Sequence, residues 1–258
     1  MFIDTHCHLD CLEQSPLECL QEANKESALR GCITIGLRYD TFEKMHSMFA
    51  GKSNIWFSVG NHPSEQFEQE PSVSELAKYA NLNEVVAIGE TGLDFYYDYV
   101  DKKTQKQRFE QQIILAKNVN KPLIIHCRDA LDILLEMLKY HEVNNFVMHC
   151  FTGDASQAEQ CLELGAYISY SGIVTFKNAQ ANQEAARITP LERLLIETDS
   201  PYLTPVPFRG KPNHPGMVKY VAAKIAELKQ LELTNVAQVT TKNACEFFNI
   251  KLSEKSFV

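Results

Sequence analysis

The sequence contains no run approaching the roughly eighteen consecutive apolar residues of a membrane helix, and it does not open on a basic segment followed by an apolar stretch of signal-peptide length. Those absences make the cytoplasm the expected compartment, with no membrane partner. Basic residues are outnumbered, 25 Lys and Arg against 33 Asp and Glu for a formal charge of −8. That balance excludes a broadly cationic surface of the kind that holds nucleic acid without specificity. A phosphate-bearing substrate has to be met by a local basic pocket. No C-x-x-C pair occurs among the eight cysteines. Cys7 and Cys11 lie four apart with no second pair at ribbon spacing, so a zinc ribbon is excluded and reduced, packed thiols are expected. Nor does any Gly, Ser or Pro-rich linker divide the chain, so residues 1–258 read as a single domain.

What is present is alternation. Short runs rich in β-branched residues predict strands at 1–6, 31–36, 54–60, 84–90, 121–127, 144–150, 165–171 and 193–198. Between them lie amphipathic stretches. In 101–120, Phe109, Ile113, Ile114, Leu115 and Ala116 recur at helical spacing behind a charged first turn. The stretches 129–141 and 154–165 each begin on an aspartate at the expected N-cap, and the second stops on a glycine. Eight β-α units in about 250 residues match the size of a (β/α)8 TIM barrel, with an open doubly wound sheet as the alternative.

The placement of polar residues favours the barrel. His6 and His8 follow the first strand, His62 the third; His126 ends the fifth and His149 the sixth, while Glu90 closes the fourth and Asp199 follows the eighth. In a closed parallel barrel these ends ring one face and converge, whereas an open sheet spreads them along an edge. Strand periodicity puts His6 and His8 on one side and turns Cys7 outward, so the two imidazoles make a chelate. Glu90, His126 and His149 add a carboxylate and two more nitrogens. Such a donor set suits zinc, manganese, iron or nickel better than calcium, and a glutamate between two histidine pairs can bridge two ions. The chemistry of that site is activation of water. Asp199 then serves either as a ligand or as the acceptor of the water's proton.

The segments FIDTHCHLD (2–10), GNHP (60–63), AIGETGLDFY (87–96), PLIIHCRDA (122–130), HCFTG (149–153), SGIVTFKNA (171–179) and ETDSPYLTPVPFRGKPN (197–213), with a closing helix at 235–248, resemble the TatD-like metal-dependent hydrolases of the amidohydrolase superfamily. The resemblance spans essentially the whole chain. It implies a TIM barrel with two divalent ions (Zn, Mn, Mg, Fe or Ni): His6 and His8 hold the first with Asp199, Glu90 bridges, and His126 and His149 hold the second. It also implies hydrolysis of DNA phosphodiesters, often as an exonuclease, while some relatives are linked to ester cleavage on aminoacyl-tRNA. Two departures fall in the loop after the eighth strand. Phe208 stands where a histidine is common, and Asn213-His214-Pro215 replaces the usual continuation, which affects the substrate mouth rather than the metal centre.

Other residues carry weaker signals. His62 either caps a turn or sits near the scissile group. Arg128 and Arg209, each in a loop after a strand that carries a site residue, are the phosphate candidates, because a guanidinium fork matches two phosphate oxygens. Gly172 either brings backbone N–H groups toward a phosphate or makes a tight turn. Glu197, two residues before Asp199, is a candidate to orient a ligand. Cys127 and Cys150 read as packing turned away from the axis, and His46, His141 and His214 as solvated or helix-associated. The expectation is a hydrolase acting on DNA with metal-activated water, the catalytic set being Asp199, Glu90 and His62 and the substrate contacts Arg128, Arg209 and His62. Alternatives are an ester, amide or lactone hydrolase with the same centre, and a metal-stabilised binding barrel. Nothing in the sequence sets the oligomeric state; a monomer is favoured.

Overall fold

All eight apolar runs become strands in the computed structural model, which describes residues 1–258. They are β1 (Phe2–Cys7), β2 (Leu29–Ile35), β3 (Ile55–Val59), β4 (Val85–Asp94), β5 (Leu123–Arg128), β6 (Phe146–Met148), β7 (Tyr167–Tyr170) and β8 (Leu194–Ile196). Each pairs in parallel with the next in chain order. β1 and β8 meet through a bridge between Cys7 and Ser200. Beside it the His8 N–H donates to the Ser200 carbonyl at 2.8 Å and the Asp199 N–H to the His6 carbonyl at 2.9 Å. This seam closes the sheet, so the architecture is the (β/α)8 barrel rather than the open sheet. The same few hydrogen bonds that close it bring His6, His8 and Asp199 together.

Helices α1 (Pro16–Ser27), α2 (Tyr39–Phe49), α3 (Val73–Ala80), α4 (Lys102–Val119), α5 (Leu131–Tyr140), α6 (Ala155–Glu163), α7 (Gln180–Ile188), α8 (Val218–Lys229) and α9 (Leu233–Phe247) surround the strands. None is long and apolar enough to cross a membrane. Asp101 caps α4, accepting from the Lys103 and Thr104 N–H groups, and Asp154 makes a reciprocal capping box with Gln157 at α6. At α5 the expected cap is displaced. The N-cap falls one residue later, on Ala130, because Asp129 takes a left-handed conformation (φ 53°) and gives no cap bond. Ile114, expected on the buried face of α4, is 46% exposed while Phe109, Ile113, Leu115 and Ala116 are buried. A period of 3.6 leaves room for only part of so wide an apolar run against the barrel.

Two apolar layers result. The larger lies between strands and helices and includes Cys7, as the expected outward direction of that side chain requires. A smaller one takes Ile3, Ile33, Ile35, Val86, Ala87, Ile124, Val147 and Leu195 from six strands and closes on Ala244, Phe247, Phe248 and Ile250 at the end of α9. The last helix thus stoppers the barrel at the end opposite the histidines. Truncating Phe247, 8% exposed, to alanine is expected to lower unfolding free energy by about 3–5 kcal/mol. The urea midpoint checks this, and an unmoved midpoint would show that the stopper contributes nothing.

Candidate metal centre

Glu90, in the last half of β4, is the hub. Its Oε1 lies 3.0 Å from His149 Nε2, 3.1 Å from His126 Nδ1 and 3.4 Å from His62 Nε2, and its Oε2 lies 3.4 Å from His6 Nε2. Asp199 Oδ1 lies 3.3 Å from His8 Nε2 and 3.6 Å from His6 Nε2. His6, His8, Glu90, His126, His149 and Asp199 are thus one cluster, as the sequence implies. His62 joins it through Glu90, while its Nδ1 accepts from the Ser64 N–H at 3.2 Å and lies 2.7 Å from the Ser64 hydroxyl, a contact within its own turn.

Local backbone chemistry explains how these groups come so close. Gly92 sits opposite His126 in the β4–β5 ladder. With φ at +130°, a Cβ there would lie 2.0 Å from the His126 carbonyl oxygen, so only glycine lets the two strands approach. Asp199 lies beyond the end of β8 in the left-handed region (φ 55°), and the preceding residue is fixed by Asp4. That buried carboxylate accepts from the Thr198 N–H at 2.9 Å and from its hydroxyl, and from the His6 N–H at 3.3 Å. Burial pushes the Asp4 carboxyl well above its ordinary range, opposed by those Thr198 bonds.

Two further carboxylates orient imidazoles. Glu197 Oε1 lies 3.1 Å from His149 Nδ1 and accepts from the Cys150 N–H at 2.8 Å, which places it to orient that ring. Asp94 Oδ2 lies 3.1 Å from His126 Nε2, and its Oδ1 accepts from the Tyr96 and Tyr97 N–H groups. Sequence reasoning passed over Asp94 and Asp4. The signal for Asp94 was its even spacing from Glu90 on one strand; Asp4 offered none, since its partner is 194 residues away.

The donor set fits divalent cations. The His6 ring is fully buried and neither of its nitrogens has a hydrogen-bond partner, nor has His8 Nδ1. Unsatisfied buried imidazoles are costly unless another electrophile takes their lone pairs. Three groups of donor atoms lie within 4.8 Å of one another: His6, His149 and Asp199; His6, His8 and Glu90; and His62, Glu90 and His126. Mixed nitrogen and oxygen donors of this kind suit zinc, manganese, iron or nickel. His6 also stacks on His149 at 3.8 Å between centroids, which explains why His149 groups with His6 here and His126 with His62.

Protons compete for the same lone pairs. Burial disfavours charge on His149, yet the Glu90 and Glu197 carboxylates overcome it and raise its pKa well above the ordinary 6.5. His8 is raised against burial by Asp199, and His126 by Asp94 and Glu90. His6 and His62 are lowered, first by burial and then by neighbouring imidazoles. Glu90 and Asp199 are held below the usual carboxylate range against burial, chiefly by His149 and by His8 respectively. At His8, His126 and His149 a cation must therefore displace protons that persist to higher pH than on free imidazole. Manganese or zinc affinity is expected to rise, with proton release, as pH is raised through and beyond the ordinary imidazole value of 6.5. Calorimetry in buffers of different ionisation enthalpy checks this, and a flat affinity with no proton release would refute it.

A cavity of about 810 Å³ opens over the cluster, lined by His8, His62, Glu90, Asp94, His126, His149 and Asp199 together with Glu65, Tyr97, Arg128, Cys150 and Tyr202. Cys150 is thus a correction to the expected orientation. β6 ends at Met148, so alternation no longer governs, and Cys150 (φ 43°) faces the cavity with its Sγ 3.2 Å from the Ser171 hydroxyl. Arg128 is the sole Lys or Arg on that lining. Arg209 is not brought to it: its guanidinium stacks on Phe176 at 4.1 Å and Nη1 donates to the Thr204 carbonyl. Phe208 packs on Tyr220. Gly172 is explained by close approach, since a Cβ there would meet the Leu203 carbonyl oxygen at 1.9 Å. His46 and His141 pair with Glu84 and Glu110 on the surface of the helical layer.

Comparison with known proteins yields relatives along the full length. The family model described as TatD related DNase matches residues 3–249. The chain is 42% identical over 257 residues to the metal-dependent hydrolase YcfH of Escherichia coli K12, covering 97% of each. It is 41% identical over 254 residues to the metal-dependent hydrolase YabD of Bacillus subtilis, covering 97% of this chain and 100% of that one. The crystal structure of YJJV, a TatD homologue from Escherichia coli K12, superposes with a TM-score of 0.90 at 30% identity, covering 97% of this chain and 98% of the other.

Proposed function

Because the chain belongs to the TatD family of metal-dependent hydrolases, we propose that its substrate is DNA and that it cleaves phosphodiester bonds, acting from a strand end. The observation that carries the reading is the charge arrangement of the cavity: Glu65, Glu90, Asp94 and Asp199 line it against one guanidinium. Such a lining repels a phosphodiester until divalent cations reverse its sign, so cation and anionic substrate are bound together.

His6, His8, His62, His126, His149, Glu90 and Asp199 are the residues that would hold the ions. Bound there, divalent ions supply charge neutralisation for a phosphoryl oxygen and lower the pKa of water to about 7. The chain supplies the rest. Glu197 and Asp94 fix the His149 and His126 rings, so that each presents its other nitrogen to Glu90. Asp199 has the most exposed carboxylate of the innermost group, 16% against 5% for Glu90, and faces arriving water as an ionised proton acceptor. Arg128 offers its fork to a phosphate at the mouth. His62, beside Glu90, stands where the scissile group would enter.

A rival reading is cleavage of a carboxylic ester, such as an aminoacyl-tRNA ester. Arg209, held on Phe176 away from the cavity, favours it by removing one of the two expected phosphate contacts. Manganese-reconstituted protein should be assayed on 3′- and 5′-labelled single- and double-stranded DNA and on an aminoacyl ester, beside Arg128→Ala. The proposal expects chelator-sensitive DNA hydrolysis, with Arg128→Ala raising KM for DNA about tenfold and flattening its salt dependence by about one ion. Ester turnover with DNA untouched would overturn it. A metal-stabilised binding barrel would show neither turnover, and chelation would mainly lower its melting temperature.

A further inference from the structure

The β4–α4 loop carries three tyrosines, all open to solvent: Tyr96 is 56% exposed, Tyr97 39% and Tyr99 58%, and Tyr97 lines the cavity. Single exposed tyrosines are ordinary. These three are assembled. Tyr97 and Tyr99 are stacked, 5.0 Å between centroids and 6° between planes, and Tyr96 meets Tyr97 edge-on at 4.8 Å. The Arg128 guanidinium lies 3.6 Å over Tyr96 and 5.0 Å from Tyr97. The loop is tied to the reaction centre, since the Tyr96 and Tyr97 N–H groups bind the same Asp94 that holds His126. It is also tied laterally by Gln66 Nε2 donating to the Tyr99 carbonyl at 2.9 Å. Lys102, Lys103 and Lys106 follow on the first turns of α4 and line one groove there.

From this arrangement we infer that Tyr97 and Tyr99, braced by Tyr96 and Arg128, form a stacking subsite for an unpaired nucleobase next to the scissile bond. The inference rests on the DNA reading above and adds the requirement that the strand end be single. Preformed, mutually stacked rings lose little freedom on accepting another ring, and base-on-aromatic stacking tolerates any base. A base inside a duplex already has both faces covered and its edge paired, so only a frayed or single-stranded end offers a free face. Arg128 reaches both the rings and the cavity and so couples base stacking to phosphate position. The α4 lysines offer further cations for neighbouring phosphates, in a groove they share with Glu110 and Glu136, with Asp98 and Asp101 the opposing charges on the loop.

The test uses the manganese-loaded full chain and a single-stranded oligonucleotide with phosphorothioate linkages and a terminal 2-aminopurine, placed at the 3′ or the 5′ end. Binding is expected to quench its fluorescence, Tyr99→Ala to weaken binding roughly tenfold or more, and Tyr99→Phe to retain it, while the blunt duplex gives no quench. Binding and quench unchanged in Tyr99→Ala, or equal quench with the duplex, would overturn the subsite. Unmodified DNA is assayed in parallel. Ring-dependent binding without cleavage would overturn the nuclease reading and leave the subsite standing; cleavage with ring-independent binding would do the reverse. A platform used for a protein partner instead would show neither ring-dependent quench nor oligonucleotide binding, which also overturns it.

Discussion

Exchanging Glu90 for glutamine is expected to reduce turnover by about a thousandfold or more, the equivalent of the several kcal/mol that a properly held divalent ion contributes. The reasoning is electrostatic. One carboxylate oxygen serves His62, His126 and His149, and the other serves His6. Glutamine keeps the shape but removes the charge that counters those imidazoles and turns one acceptor into a donor aimed at them. Two of the three donor groups contain Glu90, so metal content measured on the dialysed variant should fall to no more than one ion per chain. His149 should lose part of the stabilisation of its proton, because Glu90 is the foremost of the groups raising its pKa. Full metal content and normal turnover in Glu90→Gln would end the view of this residue as the hub.

The legible part of this molecule was what repeats or what ends a strand. Eight apolar runs predict eight strands in nearly their observed places, and strand ends carrying His6, His8, Glu90, His126, His149 and Asp199 imply their convergence. Runs overestimate strands where the chain leaves the sheet early: β6 and β8 have three residues each, shorter than the apolar stretches that encode them. Past those ends alternation stops carrying information, which is why Cys150 faces the cavity. Left-handed residues at Asp129, Cys150 and Asp199 redirect the chain at the active face, and no pattern of apolar and polar residues encodes a sign of φ in an ordinary L-residue.

The remainder was illegible because it depends on partners distant in sequence. Asp4 reads as one more polar residue in the first strand, yet it positions the segment before Asp199 across the seam. Asp94 lies four residues after Glu90 on the same strand, and its two oxygens link His126 to the tyrosine loop. Arg209 shows the converse: adjacency to a motif suggests a substrate contact, while in the fold its guanidinium lies over Phe176. A loop residue's direction is decided by which neighbours the fold happens to bring near.

The second large effect belongs to Asp199. Its Oδ1 lies 3.3 Å from His8 Nε2 and 3.6 Å from His6 Nε2, and its side chain is 16% exposed where those of His6 and His8 are 1% and 5%. Burial alone would raise its pKa, but His8 and His6 hold it below 3.8, so it is an anion throughout the neutral range and ready to accept a proton. Asparagine preserves the volume and one oxygen for coordination while abolishing that capacity. Asp199→Asn is expected to lose about 10² to 10⁴ in kcat, with a much smaller change in KM. Since the wild-type group titrates below pH 3.8, the loss should be uniform across neutral pH rather than steepening toward acid. Metal content separates the two roles open to this residue: loss of turnover with ions retained identifies the proton acceptor, and loss of an ion identifies a ligand. Turnover preserved on every substrate would leave Asp199 with neither.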